Sequence, residues 1–351
     1  MVQQQTQEAI SLGSAQLTAS RIGIGTWAIG GGWGPQREED SLAVLHAALE
    51  TGCHLIDTAP LYGNGRAERL IAQAFREHGR RVTTLTKIAP YHYHWSPVAG
   101  TPMTEIYPLE HIRSEIEGSL RRLETDCLDC VLFQTWCPTW SSNDGWLETM
   151  TQLRAEGKIR AFGISVSDHR ANDANKVIEA GCIDIVEVPY SLLDQRAASL
   201  LFPLAQQKDI SIIARSPLAS GALAGHWYEG MKFPRNDWRR RVFRDEQLTR
   251  TVKRVERLKE LFSPIQAPLA QIALHFCLFH PAVSAVIPGM RSVEQAQCNF
   301  AAHPQELFSP ELLDQVTKLW HEELSTQIRT SIGEEGEGEK WNVSEKGKSV
   351  E

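Results

Sequence analysis

Three ionisable side chains are spaced so that they could form one proton-donating group. Asp57 ends a short apolar run, Tyr62 follows five residues later, and Lys87 ends the next run. A free phenol has a pKa of about 10, too high for efficient proton donation at neutral pH, and a nearby ammonium lowers it at roughly 1.4 kcal/mol per unit. A buried lysine in turn needs a carboxylate beside it. We predict that Tyr62 is a general acid, that Lys87 lowers its pKa and that Asp57 holds the lysine. The alternative is a structural Asp–Lys ion pair beside a half-buried tyrosine.

The segments that must position these residues alternate regularly. Short apolar runs predict eight strands, at Ile22–Gly25, His54–Asp57, Val82–Lys87, Cys130–Gln134, Arg160–Ser165, Ile183–Glu187, Ile210–Ala214 and Ala282–Ile287. Amphipathic segments predict eight helices, at Glu39–Glu50, Ala67–His78, Leu109–Leu123, Trp146–Glu156, Ala171–Ala180, Ala197–Gln207, Leu269–Phe279 and Val293–Ala301. Apolar strands that are each followed by a helix are typical of a parallel sheet covered by helices, and eight such units close a barrel.

The predicted fold class is therefore α/β, a (β/α)8 TIM barrel. In such a barrel the carboxyl ends of all strands lie on one face, where Asp57, Tyr62 and Lys87 would meet. A doubly wound sheet is the competing architecture. It needs a G-x-G-x-x-G turn after the first strand, and the glycines at 30–32 do not form one.

The barrel accounts for residues 1–322 as a single catalytic domain, and other segments accompany it. A β-hairpin is predicted within Gln4–Leu17, with its turn at Leu12-Gly13, and it would plug the bottom of the barrel. The long segment Ala222–Gln247 separates the seventh strand from its helix, and loops of this length are typical of lids or ordered excursions. Residues 323–351 are polar, and we predict a disordered tail there.

The composition argues against several classes of partner. A net charge of −7 and a pI near 6.0 disfavour nucleic acid and membrane surfaces. No apolar run approaches the roughly 18 residues that a membrane span needs, and the polar N-terminal residues do not resemble a secretory signal. The seven scattered cysteines do not suggest a disulfide framework. We expect a cytoplasmic protein that acts on a small molecule and has no metal site.

Several motifs, taken in order, resemble those of the aldo-keto reductases. They are Gly23–Trp27, Ile56–Gly63 with Glu68, Leu85–Lys87, Gly157–Ser165, Val188–Leu193, Ser216–Gly221 and Ile287–Gln295 with Asn299. The resemblance implies a barrel oxidoreductase that uses NADPH or NADP+. It also implies that Asp57, Tyr62 and Lys87 are three members of a catalytic tetrad, with Tyr62 as the proton donor.

The resemblance further implies a cofactor site. Ser165 would bind the nicotinamide carboxamide, the loop at Ser216 would cross the pyrophosphate, and Arg291 would meet the adenosine 2′-phosphate near a helix N-terminus. The alternative for Arg291 is a solvated surface charge. The cofactor positions implied are Gly25, Thr26, Trp27, Asp57, Ser165, Glu187, Arg215, Ser216, Pro217, Leu218, Ser220, Gly221, Gly289, Arg291, Ser292, Gln295 and Asn299.

The chain also departs from the family pattern. Gln134 stands five residues beyond Asp129, where the tetrad has a histidine. Its amide can donate a hydrogen bond to a substrate carbonyl but does not titrate near neutral pH, so we expect a fourth catalytic residue without a proton relay. The alternative is a strand-end residue that the backbone satisfies. Glu187 replaces the usual glutamine, and Arg215 replaces a frequent tyrosine.

Aromatic residues at the predicted rim indicate the substrate class. We expect Trp27, Tyr62, Trp136 and His92 to contact the substrate, and such a wall suits sugars, polyols or flat rings. A histidine of the segment Tyr91–Trp95 could instead replace the missing one, or these rings could simply pack.

The leading functional hypothesis is NADPH-dependent reduction of an aldehyde, ketone or keto-sugar-like carbonyl. Two alternatives stay open. One is oxidation of an alcohol or sugar with NADP+. The other is an NADPH-binding regulatory subunit with little turnover, since some family members without the histidine are channel partners. Retention of Asp57, Tyr62 and Lys87 favours an enzyme.

Overall fold

An antiparallel hairpin lies at the bottom of the molecule. The computed structural model describes residues 9–93, 97, 99–140, 144–167, 170–301 and 308–325. Strand β1 (Ala9–Leu12) pairs with β2 (Leu17–Ser20), and Gly13 in the turn has φ +63°. A Cβ on Gly13 would lie 2.8 Å from the Cβ of Asp184, so the close approach requires glycine. The predicted hairpin is confirmed, with residues 4–8 outside the described part.

Eight parallel strands form the barrel and pair in sequence order. They are β3 (Ile24–Gly25), β4 (Leu55–Asp57), β5 (Thr83–Ile88), β6 (Leu128–Phe133), β7 (Ile159–Ser165), β8 (Ile185–Pro189), β9 (Ser211–Arg215) and β10 (Val283–Ile287). Parallel bridges from Ile22 to Val286 and from Gly25 to Gly289 join the first strand to the last. The predicted (β/α)8 barrel is confirmed.

Helices cover the outside of the barrel. They are α1 (Glu38–Glu50), α2 (Arg66–His78), α3 (Met103–Ile106), α4 (Leu109–Leu123), α5 (Trp146–Ala155), α6 (Asn175–Ala180), α7 (Leu201–Gln207), α8 (Arg239–Val242), α9 (Asp245–Leu261), α10 (Leu269–Phe279), α11 (Val293–Phe300) and α12 (Pro310–Leu319). Local signals explain their ends: left-handed glycines flank α2, and Ser292 accepts a hydrogen bond as the N-cap of α11. No helix of the described part is both long and apolar enough to cross a membrane.

Two hydrophobic layers hold these elements together. One lies between the sheet and the helices, and the other fills the barrel interior. Leu55, Leu85 and Ile185 contribute to the interior, and Leu12 and Leu17 of the hairpin join the same cluster. The hairpin therefore closes the lower end of the barrel by burying its own apolar side chains there.

The helical elements differ from the prediction at several positions, and the helices α3, α8 and α12 were not predicted. The predicted helix 171–180 is a 3₁₀ turn followed by α6, and the predicted helix 197–207 is a 3₁₀ turn followed by α7. No element was predicted for 248–268, yet α9 runs through most of it. Its buried residues include Leu248, Val252, Val255 and Leu258, a helical spacing that the sequence already contains.

The C-terminal helical turn passes the predicted domain boundary at residue 322. A π-helical turn at Trp320–Leu324 follows α12 and buries Trp320 and Leu324 in the core. The predicted disordered tail lies outside the described residues from position 326 onward.

Candidate active site

Polar side chains form a layer above the apolar interior of the barrel. Alternate residues of a strand face the barrel axis, so the residue two places beyond an inward leucine also faces inward. Asp57 follows Leu55 in this way, and Lys87 follows Leu85. Gln134, Glu187 and Arg215 likewise lie two places beyond interior apolar residues, and Ser165 lies four places beyond Ala161. The pleat thus collects the polar ends of six strands at the barrel mouth.

Lys87 lies at the centre of this layer. Its ammonium donates to the Asp57 carboxylate, to the Thr58 carbonyl at 3.1 Å and to the Tyr62 hydroxyl at 3.3 Å. Glu187 places a second carboxylate oxygen 3.2 Å from the same nitrogen. The structure therefore brings together the three residues predicted to act as a general acid, and it adds Glu187 to them.

Burial decides the direction of the Tyr62 pKa shift. Burial raises the pKa of the phenol, the Lys87 ammonium lowers it, and the carboxylates of Asp57 and Glu187 raise it. Lys87 thus acts in the predicted direction, but burial and the two carboxylates outweigh it, so the net shift of the Tyr62 pKa is upward. The phenol is protonated at neutral pH and can donate.

The ion pair below Tyr62 is also shaped by burial. Burial acts to lower the pKa of Lys87, but Asp57 and Glu187 outweigh it, so the lysine pKa is raised and its charge is retained. Burial raises the pKa of Asp57, against the effect of Lys87 and with the help of Glu187.

Gln134 directly follows β6, and its N–H donates to the Ile88 carbonyl at 3.2 Å. Its side-chain carbonyl oxygen is buried and has no hydrogen-bond partner within the described part of the chain. Buried polar atoms without partners are rare and mark places that a water or ligand completes. A half-turn of the amide would present its NH₂ group instead. The alternative for Gln134 was a strand-end residue whose side chain is satisfied by the backbone. In the structure the backbone does not satisfy this side-chain oxygen.

Ser165 and Glu187, both assigned to the cofactor by resemblance, contact each other. The Ser165 hydroxyl donates to Glu187 Oε1 at 3.0 Å. Arg215 Nε lies 3.6 Å from the same oxygen, and Arg215 Nη2 donates to the Val166 carbonyl at 2.8 Å. Glu187 consequently lies between two cations, Lys87 and Arg215.

The loop after β9 has a strained backbone. Ser216, Ala219 and Ser220 adopt φ values of +55°, +46° and +59°, and Gly221 adopts +95°. Non-glycine residues avoid this region unless their surroundings impose it, often at ligand sites. Leu218, at φ −98°, precedes left-handed Ala219. The N–H groups of Ala219 and Gly221 donate within the loop, to the carbonyls of Ser216 and Leu218 at 2.9 Å. Pro217 is buried beside it.

The turn after β10 forms the neighbouring wall. Gly289 bridges Gly25, Ser292 accepts from the Gln295 N–H at 3.2 Å, and Asn299 is buried within α11.

The family model described as Aldo/keto reductase family matches residues 21–321. The chain belongs to the aldo-keto reductase family. The NADH-specific methylglyoxal reductase of Escherichia coli strain K12 is 29% identical over 307 residues, which cover 84% of this chain and 92% of that protein. The holo form of aldo-keto reductase AKR11C1 from Bacillus halodurans matches with a TM-score of 0.70 at 26% identity, covering 89% of this chain and 96% of that chain. A Klebsiella pneumoniae aldo-keto reductase in complex with NADPH matches with a TM-score of 0.63 at 26% identity, covering 90% and 95%. As a family member, the chain is an oxidoreductase.

Arg291, expected at the 2′-phosphate of NADPH, is engaged elsewhere in this aldo-keto reductase. Its guanidinium donates to the carbonyl of Trp33, to the carbonyl of Pro35 at 2.7 Å and to Gln36 Oε1 at 3.0 Å. Gln36 donates in return to the Arg291 carbonyl at 3.1 Å. Burial and the nearby Arg239 lower the Arg291 pKa. The alternative of a solvated surface charge does not describe this side chain, because loop 33–36 holds it.

Trp27 lies at the open side of the site and has a stacking partner that the prediction missed. Its ring is 39% exposed, and it stacks on Tyr62 with centroids 6.2 Å apart and on Trp238 at 5.2 Å. Next to it, Thr26 Oγ1 donates to the Asp57 carbonyl at 2.9 Å. Trp238 belongs to the long segment singled out after the seventh strand, so its position in the sequence was the available signal.

One of the expected substrate contacts lies in the core. Trp136 is only 1% exposed and packs against Phe133, Trp140 and Trp146, so it is a core residue. Its assignment to an aromatic substrate wall is wrong. His92 is exposed in a 3₁₀ turn with its ring against Tyr91, while positions 94–96 lie outside the described residues.

Proposed function

We propose that this aldo-keto reductase reduces the carbonyl of an aldehyde, ketone or keto-sugar to an alcohol, with Tyr62 as the proton donor. The observation that carries the proposal is the 3.3 Å contact between the Lys87 ammonium and the Tyr62 hydroxyl. Asp57 anchors that ammonium within the same buried cluster. A protonated phenol beside a fixed ammonium can donate its proton, because the phenolate is stabilised where it forms.

The residues divide the reaction among them. When bound, NADPH supplies a hydride to the carbonyl carbon of the substrate. The carbonyl oxygen then gains negative charge and takes the proton of the Tyr62 hydroxyl. Lys87 stabilises the phenolate left behind, and Asp57 keeps the lysine charged. The Gln134 amide would donate a hydrogen bond to the developing negative charge, which stabilises the transition state more than the bound ketone.

Residues around the mouth would hold the cofactor. The strained loop Ser216–Gly221 would lie along the pyrophosphate, and the wall Ser292–Asn299 would offer polar groups to the adenosine. Ser165 and Glu187 would contact the carboxamide. Arg291 can bind a 2′-phosphate only after it releases the carbonyls of loop 33–36. One relative is named an NADH-specific methylglyoxal reductase, and this name supports carbonyl reduction as the activity. Because that relative is NADH-specific, the preference of this chain for NADPH over NADH should be measured.

The test is a steady-state assay of NADPH consumption with aldehydes, ketones and keto-sugars, run in parallel with NADP+ and the corresponding alcohols. We expect faster turnover in the reductive direction and saturation with at least one carbonyl class. Turnover confined to alcohols would establish the oxidative alternative. Tight NADPH binding without turnover in either direction would contradict the proposal and favour a regulatory subunit.

A further inference from the structure

Lys87 lies between two carboxylates that come from different sides of the barrel. Asp57 reaches it from the neighbouring β4, whereas Glu187 reaches it from β8. The side chains of Lys87, Asp57 and Glu187 are 0%, 5% and 2% exposed. Because water does not screen these charges, each carboxylate acts strongly on the lysine.

The surroundings of Glu187 explain how a second carboxylate is tolerated there. Its Oε1 accepts from Ser165, and Arg215 lies on the same side. Its Oε2 has no hydrogen bond within the described chain but lies 3.2 Å from the Lys87 nitrogen. A buried carboxylate needs paired cations, and Glu187 has one on each side. A neutral glutamine, the usual residue here, would leave Lys87 with a single carboxylate.

We propose that Glu187 is a positioning residue that acts through Lys87. With Asp57 it forms a two-carboxylate clamp, consisting of Asp57, Lys87 and Glu187, which keeps the lysine charged and against Tyr62. Through this clamp Glu187 extends the pH range over which Tyr62 is protonated. The proposal rests on the role proposed above for Tyr62.

Three charged or titratable groups of the described chain face the clamp from other parts of the barrel. Tyr62 follows β4, Arg215 ends β9, and Cys130 from β6 lies near Glu187, with its thiol pKa raised well above normal by burial. Glu187 acts to raise the pKa of Lys87, Asp57 and Tyr62 alike. Replacing Glu187 by glutamine should therefore lower the pKa values of Lys87, Asp57 and Tyr62. In that variant Arg215 lies beside a neutral amide.

The first experiment compares the pH profiles of kcat/KM for the wild type and Glu187→Gln. Activity needs a protonated Tyr62 and is lost as the pH rises through the Tyr62 pKa. We expect the alkaline limb of the variant to move down by about one pH unit, since a close like charge is removed. Glu68→Gln is the matched control, because Glu68 is a buried carboxylate paired with Arg122 outside the clamp. An alkaline limb that stays at the wild-type pH in Glu187→Gln would overturn the proposal.

The second experiment is independent of activity. Because burial and Glu187 raise the Asp57 pKa, this group stabilises the folded state fully below the ordinary carboxyl pKa and loses that effect as the pH rises through the raised pKa. Glu187 is one cause of the rise, so urea unfolding at about pH 5 and pH 8 should show a smaller loss of stability in Glu187→Gln than in the wild type. Glu68→Gln should keep the wild-type difference.

The two experiments separate failure of the clamp from failure of the proposed function. If no carbonyl is turned over, the unfolding measurement still decides on the clamp. Equal pH dependence of unfolding in the wild type and Glu187→Gln would overturn it. A double-mutant cycle adds a third arm: Asp57→Asn and Glu187→Gln should each leave Lys87 one carboxylate, so their combination should destabilise more than the sum of the two. Additive losses would contradict a shared clamp.

Discussion

The barrel mouth and the rim loops hold their functional side chains in different ways. At the mouth, Asp57, Lys87 and Glu187 belong to strands whose hydrogen bonds set their positions. At the rim, Arg291 binds the carbonyls of loop 33–36, and Trp27 stacks on Trp238 from another loop. Strand register thus determines the reacting groups, whereas contacts between loops determine the groups expected to bind ligands. We expect substitutions at the mouth to act on turnover and substitutions at the rim to act on binding.

The rim is itself a connected network. Arg239 binds Asp237 through two nitrogens and lies over the rings of Trp33 and Phe233 at 4.5 and 4.9 Å. It also donates to the Ser220 carbonyl in the strained loop at 3.3 Å. Arg239 therefore couples loop 33–36, the strained loop and the segment around Trp238. A substitution in one of these segments should alter the conformation of the other two.

The largest effect should come from Tyr62→Phe, which removes only a hydroxyl. Turnover should fall at least about 10²-fold, the usual result of losing a general acid, while NADPH binding and thermal stability persist. Tyr228→Phe, at an exposed tyrosine, is the control and should behave as wild type. Near-normal turnover of Tyr62→Phe, measured when chemistry limits the rate, would rule out this donor.

Gln134→Ala tests whether the fourth mouth residue takes part in the chemical step. Turnover should fall about tenfold or more with a smaller rise in KM, because its hydrogen bond is strongest in the transition state. Gln134→His should stay active and acquire a pH dependence near the histidine pKa of about 6.5. If the rate of the chemical step is unchanged in Gln134→Ala, Gln134 is a strand-end residue without a catalytic role.

Arg291→Ala tests the rim side of the comparison. A charge-assisted contact contributes about 1.5–3 kcal/mol, and the bonds that Arg291 must first release reduce the net gain. We expect NADPH affinity to fall about tenfold and NADH affinity much less, measured by quenching of tryptophan fluorescence. Gln36→Ala, which removes one competing acceptor, should instead favour NADPH. Equal losses for both cofactors in Arg291→Ala would place the 2′-phosphate elsewhere.

The smallest effect should come from Trp238→Ala. An aromatic pair contributes about 0.5–1.5 kcal/mol, so KM for ring-containing carbonyls should rise about threefold with little change in kcat. Trp238→Phe retains a ring and should stay close to wild type. A fall in kcat rather than a rise in KM would contradict the division between mouth and rim.

The strands could be predicted closely because their signal is local. Apolar runs bounded by polar residues mark β5 and β6, and the two-residue spacing from Leu85 to Lys87 already indicates which side chain faces the axis. The spacing is informative only while the strand lasts. Gln134 still follows the ladder, whereas Trp136 lies beyond it and packs into the core, so its rim assignment failed. The prediction also passed over α9, although its helical spacing was present, because eight units already completed the barrel.

The sequence by itself determined the strand–helix alternation, the hairpin and the inward layer that contains Asp57, Lys87 and Glu187. These follow from hydrophobic spacing and the pleat of a strand, which neighbouring residues specify. Only the tertiary structure decided that Lys87 meets two carboxylates, that burial raises the Tyr62 pKa and that Arg291 binds loop 33–36. Barrel closure brings β4 and β8 to one lysine, and a pKa or a hydrogen-bond partner depends on groups that lie far apart in the chain.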